Sequence, residues 1–254
     1  MPLSYRNAVA VAEIVFYAPV FLIAVYLNLR HGWQRAYGWF FLAIFSLARL
    51  IGASLQLATI QDPDNINLYI AAATLTSVGL SPLLLASLGF IARVRSSIHK
   101  SQTTQTGIPT KALRLVEILT IVALILSIVG ANSLPSGTFA SGEPQQVDLP
   151  STMKTSIVLF ILSYIAIAGL ALYLWVYVRS IQPGETRLLV AVTLSLPFLA
   201  VRLLYSALAI LGHDPLFGWV GGSVTVWLCM GLVMEAVVVV ILARIVSNWN
   251  FKFC

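Results

Sequence analysis

Four ionisable residues stand where an apolar chain should have none: Glu13, Arg49, Arg202 and Glu235. Each lies within a long run rich in Leu, Ile, Val, Ala and Phe. A carboxyl group in such surroundings can be held as a proton donor, because a low dielectric disfavours its charged form. A guanidinium there can fix an anionic or hydrogen-bonding head group. Helical spacing sets further polar and aromatic side chains nearby. Tyr17 follows Glu13 by four residues, and Tyr205 and Ser206 follow Arg202 by three and four. Gln56 lies two turns beyond Arg49, and Trp227 precedes Glu235 by eight. Glu13 and Glu235 are the candidate catalytic acids. Arg49, Arg202, Tyr17, Tyr205, Trp227 and Gln56 are the candidate substrate-binding residues. A nearby positive charge makes a carboxyl a poor proton donor. The chemistry therefore needs one glutamate free of arginine, or an arginine that binds the head group instead. The other reading is that two acids and two bases brace a helix bundle as ion pairs.

Such residues need elements that carry them into a membrane. The chain has 254 residues, is 59% hydrophobic and only 9% charged, against roughly 25% in a soluble domain. Its mean hydropathy is +0.92. A soluble globular protein, a disordered tail and a nucleic-acid-binding domain are excluded. Seven stretches are long and apolar enough to span: roughly 9–29, 37–59, 68–92, 112–132, 153–177, 188–211 and 218–245. The expected fold is all-α, a seven-transmembrane helix bundle forming a single integral-membrane domain over 1–254, with the lipid bilayer as its first partner. Pro19, Pro82 and Pro197 interrupt three of the spans, either kinking them around a cavity or simply tolerated there.

The remaining charges orient the bundle. Loops after the odd-numbered spans carry Arg30, Arg35, Arg93, Arg95, Lys100, Lys111, Arg114, Arg179, Arg187, Arg244 and Lys252. The opposite loops carry Asp62, Asp64, Glu143, Asp148 and Asp214, with Lys154 their one base. The positive-inside rule then places the N-terminus outside or in a lumen and the C-terminus in the cytosol. The expected location is the endoplasmic reticulum or another endomembrane. Trp33, Trp39, Trp219 and Trp249 fall near span ends, where interfacial anchors belong. The segment 94–111 reads as a polar, mobile loop, and 133–152 is rich in Ser, Gly and Pro.

Three landmarks recur in order in the second and sixth spans. Gly32 to Arg35 matches Gly184 to Arg187, Arg49-Leu50 matches Arg202-Leu203, and Asp62-Pro63 matches Asp214-Pro215. They suggest two parallel three-helix units, 8–92 and 153–247, joined by a helix at 112–132, although such residues are also common at helix ends. In a 3+1+3 plan of this kind the ligand site lies at the repeat interface. Arg49 and Arg202 would then face each other and need acids or an anionic ligand between them.

Some chemistries have no residues to carry them. No lysine lies within a span, so a retinal Schiff base has no candidate. His31, His99 and His213 fall in three separate loops, and Cys229 and Cys254 form no ligand cluster. No metal and no cofactor is expected.

The opening Ala12-Glu13, Tyr17 and Pro19, the Arg30-His31-Gly32 turn and Ala48-Arg49-Leu50 resemble a group of small fungal seven-span proteins. Size and topology also resemble the integral-membrane terpene cyclases of meroterpenoid pathways, those for ascofuranone and macrophorin. That resemblance implies metal-independent cyclisation of a farnesyl-type chain on an aromatic or quinone-like head, started by protonating a terminal epoxide or alkene. No catalytic motif is carried over residue by residue. The expected partner is a hydrophobic prenylated small molecule and no nucleic acid. A transporter using the same polar cavity and a seven-span receptor are the alternatives.

Overall fold

A computed structural model describes residues 5–31, 37–62, 65–101, 110–133, 149–177, 183–212 and 223–250. All regular structure among them is helical. In chain order the helices are α1 (Tyr5–His31), α2 (Tyr37–Ala58), α3 (Ile66–Val78), α4 (Leu80–Ser101), α5 (Thr110–Asn132), α6 (Ser151–Val176) and α7 (Pro183–Leu211). They are followed by the short α8 (Val224–Val226), a π-helical segment (Trp227–Val233) and α9 (Met234–Asn250). Pairs α3–α4 and α8–α9 each make one span, so seven helical rods are long and apolar enough to cross a membrane. Helices suit that environment because every backbone polar group is paired within the segment. The hydroxyls follow the same rule: Ser46, Ser87 and Thr120 donate to the carbonyls of Leu42, Leu83 and Val116 in their own helices.

The third span is the centre. About 71% of its apolar window is buried, against 28% in the first, fourth and seventh. It packs on α2, α5, α6 and α7, while α1 lies on α2, α5 on α6, and α7 on α9. Leu83, Leu84, Ala86, Phe90, Ile91, Val94 and Ile98 of α4 form much of the core.

This span breaks at Gly79 for a local reason. Pro82 has no N–H to give the carbonyl of Val78, four residues back. The Ser81 hydroxyl donates to that carbonyl instead, at 3.0 Å. The break lets the chain restart as α4 without an orphaned acceptor.

Two sequence expectations change here. The polar segment 94–111 is helical as far as Ser101; its apolar residues Val94 and Ile98 are buried, and they hold this turn to the core. Arg95 donates to the Thr110 hydroxyl and ties the start of α5 to the end of α4. Trp39 is no interfacial anchor: it is 2% exposed and meets Phe90 edge to face at 6.0 Å. The cause is Gly38, where a Cβ would lie 2.6 Å from the Phe90 ring. The missing side chain admits that ring and draws Trp39 inward. The seventh span carries a π-helical segment between α8 and α9. Trp33 and Trp219 lie outside the described residues, as does the Trp249 side chain.

Trp39→Ala should therefore lower the unfolding stability of the purified protein by about 3–5 kcal/mol, the usual cost of emptying a core aromatic site. Thermal denaturation in detergent measures it, and a loss within about 0.5 kcal/mol would fit a surface position instead.

Candidate functional site

The four intramembrane charges meet. Glu235, the second residue of α9, is wholly buried and accepts hydrogen bonds with both carboxylate oxygens. Oε2 takes one from Nη2 of Arg49, on α2. Oε1 takes one from Nε of Arg202, on α7, at 2.6 Å. Arg202 also donates through Nη1 to Ser206, one turn on. The two arginines thus share one carboxylate. Glu13, on α1, stands 3.7 Å from Nη1 of Arg49, an ion-pair distance beyond hydrogen-bond reach. Aromatic rings sit beside both guanidiniums: Phe45 lies 5.8 Å from Arg49 and Tyr205 lies 5.7 Å from Arg202. These are favourable cation–π distances.

Room for Arg49 comes from Gly79. A Cβ there would sit 3.2 Å from Nε and Nη2 of Arg49 and from the Phe45 ring. The break in the third span therefore lies against the guanidinium. Nothing in the sequence around Gly79 marks it as a partner of Arg49; only the nearby Pro82 hints at a break.

Above this cluster lies a cavity. It encloses about 1110 Å³ of empty space, its open mouth included, and residues from all seven spans line it. Arg6, Glu13, Gln56, Arg202, Tyr205 and Ser206 supply polar wall, and Ile157, Phe160, Ile210 and Trp227 supply apolar wall. Arg6, exposed at the start of α1, belongs to its wall. From Arg6 to Glu13 the wall descends about 10 Å at 1.5 Å per residue. That is roughly a third of a 30 Å hydrocarbon core. Gln56 reaches towards Asn7 near the rim, at 3.5 Å.

The structure divides the candidate residues into two layers. Glu13, Arg202, Tyr205, Trp227 and Gln56 line the cavity. Arg49, Glu235 and Tyr17 lie behind its floor. Tyr17 is 1% exposed and packs edge-on against Phe16 and Phe45. Among the described residues, Glu13 Oε1, the Tyr17 hydroxyl, and Nε and Nη1 of Arg49 have no hydrogen-bond partner. Glu13 and Arg202 touch both layers, Glu13 through Arg49 and Arg202 through Glu235. Phe160, Ile157 and Arg6 were not singled out in the sequence, because an aromatic or aliphatic residue in an apolar span gives no sign of facing a cavity. Among the described residues, no group of three or more His, Cys, Asp or Glu could hold a metal ion.

Fold and site together define a multi-pass membrane protein with an internal, amphipathic cavity floored by ion pairs. The family described as a domain of unknown function (DUF7702) matches residues 3–247, and the chain belongs to it. No curated protein and no solved structure matches the chain.

Removing the shared acid should be costly. Glu235→Gln should lose about 3–5 kcal/mol of unfolding stability, because two buried guanidiniums lose their common partner. Glu13→Gln, which gives up one looser contact, should lose clearly less. Denaturation of the two purified variants compares them, and equal losses would show that Glu13 carries as much of the clasp.

Proposed function

We propose that the protein is a membrane-bound terpene cyclase that draws a prenylated, farnesyl-type precursor into the cavity and closes its rings after protonating the chain. The observation that supports this most is a cavity lined from all seven spans that sets one carboxyl, Glu13, among apolar and aromatic side chains.

Glu13 is the donor in this reading: Arg49 stands 3.7 Å away, outside hydrogen-bond reach, and donates to Glu235 instead. Glu13 lines the cavity, whereas both oxygens of Glu235 already accept from guanidiniums beneath the floor. The Glu13 proton passes to a terminal alkene carbon or epoxide oxygen. The neighbouring alkenes supply the electron pairs that form the ring bonds. The last cation loses a proton to the Glu13 carboxylate, so the product is an isomer of the substrate. Phe160, Tyr205 and Trp227 border the same space, and aromatic faces stabilise a passing cation.

A second reading, a transporter or receptor that binds the same ligand without changing it, draws on the ion-paired floor. Arg49 and Glu235 lie beneath that floor, outside the cavity lining.

The test uses membrane vesicles containing this protein alone and a farnesylated phenol or its terminal epoxide. A ring-closed product of unchanged mass is expected, and Glu13→Gln should lower its yield at least about a hundredfold, the usual worth of a general acid. Substrate recovered unchanged by intact protein would overturn the cyclase. Accumulation of unaltered label inside sealed vesicles would establish transport in its place.

A further inference from the structure

The two arginines of the clasp are not held alike. Arg202 is fixed at two points, through Nε by Glu235 and through Nη1 by Ser206. Arg49 donates through Nη2 to Glu235. Among the described residues, its Nε and Nη1 have no hydrogen-bond partner, and neither has Oε1 of Glu13. Buried polar atoms are ordinarily paired, because an unmet donor or acceptor carries its full desolvation cost. Here an unmet donor and an unmet acceptor stand 3.7 Å apart, on residues only 2% and 5% exposed. A charge-assisted hydrogen bond is about 2.7–2.9 Å long, so Nη1 of Arg49 lies about 1 Å short of one.

That gap has a use in a reaction that Glu13 begins as an acid. While Glu13 keeps its proton, Arg49 and Arg202 share the single carboxylate of Glu235. Once the proton has left, Glu13 supplies a second negative charge and the set of four becomes neutral. A carboxylate gains far more from a guanidinium donor than a neutral carboxyl does. Interactions that are stronger in the transition state than in the ground state are the ones that speed a reaction. The surroundings allow the movement. Gly79 faces Nε and Nη2 of Arg49 with bare backbone, where a Cβ would stand 3.2 Å away. Glu235 is not abandoned by it, because its Oε1 stays with Arg202.

We infer that Arg49 is a positioning residue for the proton transfer: its Nη1 closes on Oε1 of Glu13 as the proton leaves, holds the carboxylate while the rings form, and withdraws when Glu13 recovers a proton. The Glu13 O–H bond breaks and a C–H or O–H bond forms on the ligand, which takes the positive charge. The last cation gives up a C–H proton to the Glu13 carboxylate. Arg49 keeps its own protons throughout, as arginine does in proteins. The inference rests on the cyclase reading with Glu13 as donor, and it gives the second arginine on one carboxylate a task of its own.

A double-mutant cycle on the full chain in vesicles tests it, with the farnesylated phenol or its terminal epoxide as substrate. Arg49→Lys keeps a positive charge for Glu235 and gives up the second arm of the fork. Its kcat should fall at least about tenfold, towards the hundredfold worth of a preorganised donor, with KM within about twofold. Beside Glu13→Gln the same substitution should change kcat by less than about twofold, because it acts through the missing acid. Gly79→Ala leaves every charge in place and sets a methyl 3.2 Å from two nitrogens of Arg49. It should lower kcat several-fold at similar KM, and it replaces Arg49→Lys if that variant does not fold. Unchanged kcat in the variant used, a loss carried by KM, or equal losses with and without Glu13 would overturn the role of Arg49 and leave the cyclase standing. Absence of product from the intact protein would overturn the cyclase reading and this inference with it.

Discussion

One carboxylate held by two guanidiniums sets the terms for the rest of this bundle. Each of these charges, left alone at the centre of a bilayer, would cost about 2.5–3.5 kcal/mol or more. Coulomb attraction offsets that cost only at contact distance and away from water. Glu235 of α9 must therefore lie where Arg49 of α2 and Arg202 of α7 can both reach it, although the residues are 186 and 33 positions away in sequence. Satisfying this point fixes three of the seven spans against one another. It also consumes both oxygens of Glu235, so the acid that anchors the helices is not the acid that faces a ligand. Glu13, at a looser 3.7 Å from Arg49, keeps a place on the cavity wall.

The central span has to make way for this cluster, and its sequence does so within four residues. Pro82 prevents a regular hydrogen bond to Val78, and Ser81 takes over that acceptor. Gly79 then presents bare backbone to Arg49 where a side chain would come within 3.2 Å of two guanidinium nitrogens. A break that would weaken an isolated helix is here what allows a long cation to pass into the middle of a packed core. The cost is borne by the most buried span, where contacts with α2, α5, α6 and α7 on either side of the break hold both halves.

The spans themselves were legible in the sequence because a membrane helix needs about 20 apolar residues and little else. The four charges were legible for the same reason, as exceptions to that rule. Their division into an anchoring layer and a cavity layer was not. Glu13 and Glu235 have equivalent chemistry, and which one is enclosed depends on how α1 and α9 rotate about their axes. Rotation is set by side-chain packing among distant segments, as Gly38 and Phe90 show by turning Trp39 inward. The continuation of α4 to Ser101 was hidden because charged side chains around Val94 and Ile98 mask the helical spacing of those two buried residues.

The π-helical segment was also invisible to pattern reading, yet it decides how the two layers are joined. In a regular α-helix, residues eight apart differ by about 80° around the axis. Trp227 and Glu235 would then point in distinctly different directions. A wide turn with i to i+5 bonding takes up an extra residue. The eight steps then act as about seven, and the two side chains fall within roughly 20° of one line. Trp227 can thereby face the cavity while Glu235, farther along the same side, reaches the arginines. Gly231 lies under the indole, where a Cβ would come 3.3 Å from Trp227 Cδ1. The ring can close down over the wide turn because that position is bare. The seventh span thus joins the cavity wall to the carboxylate on which α2 and α7 converge.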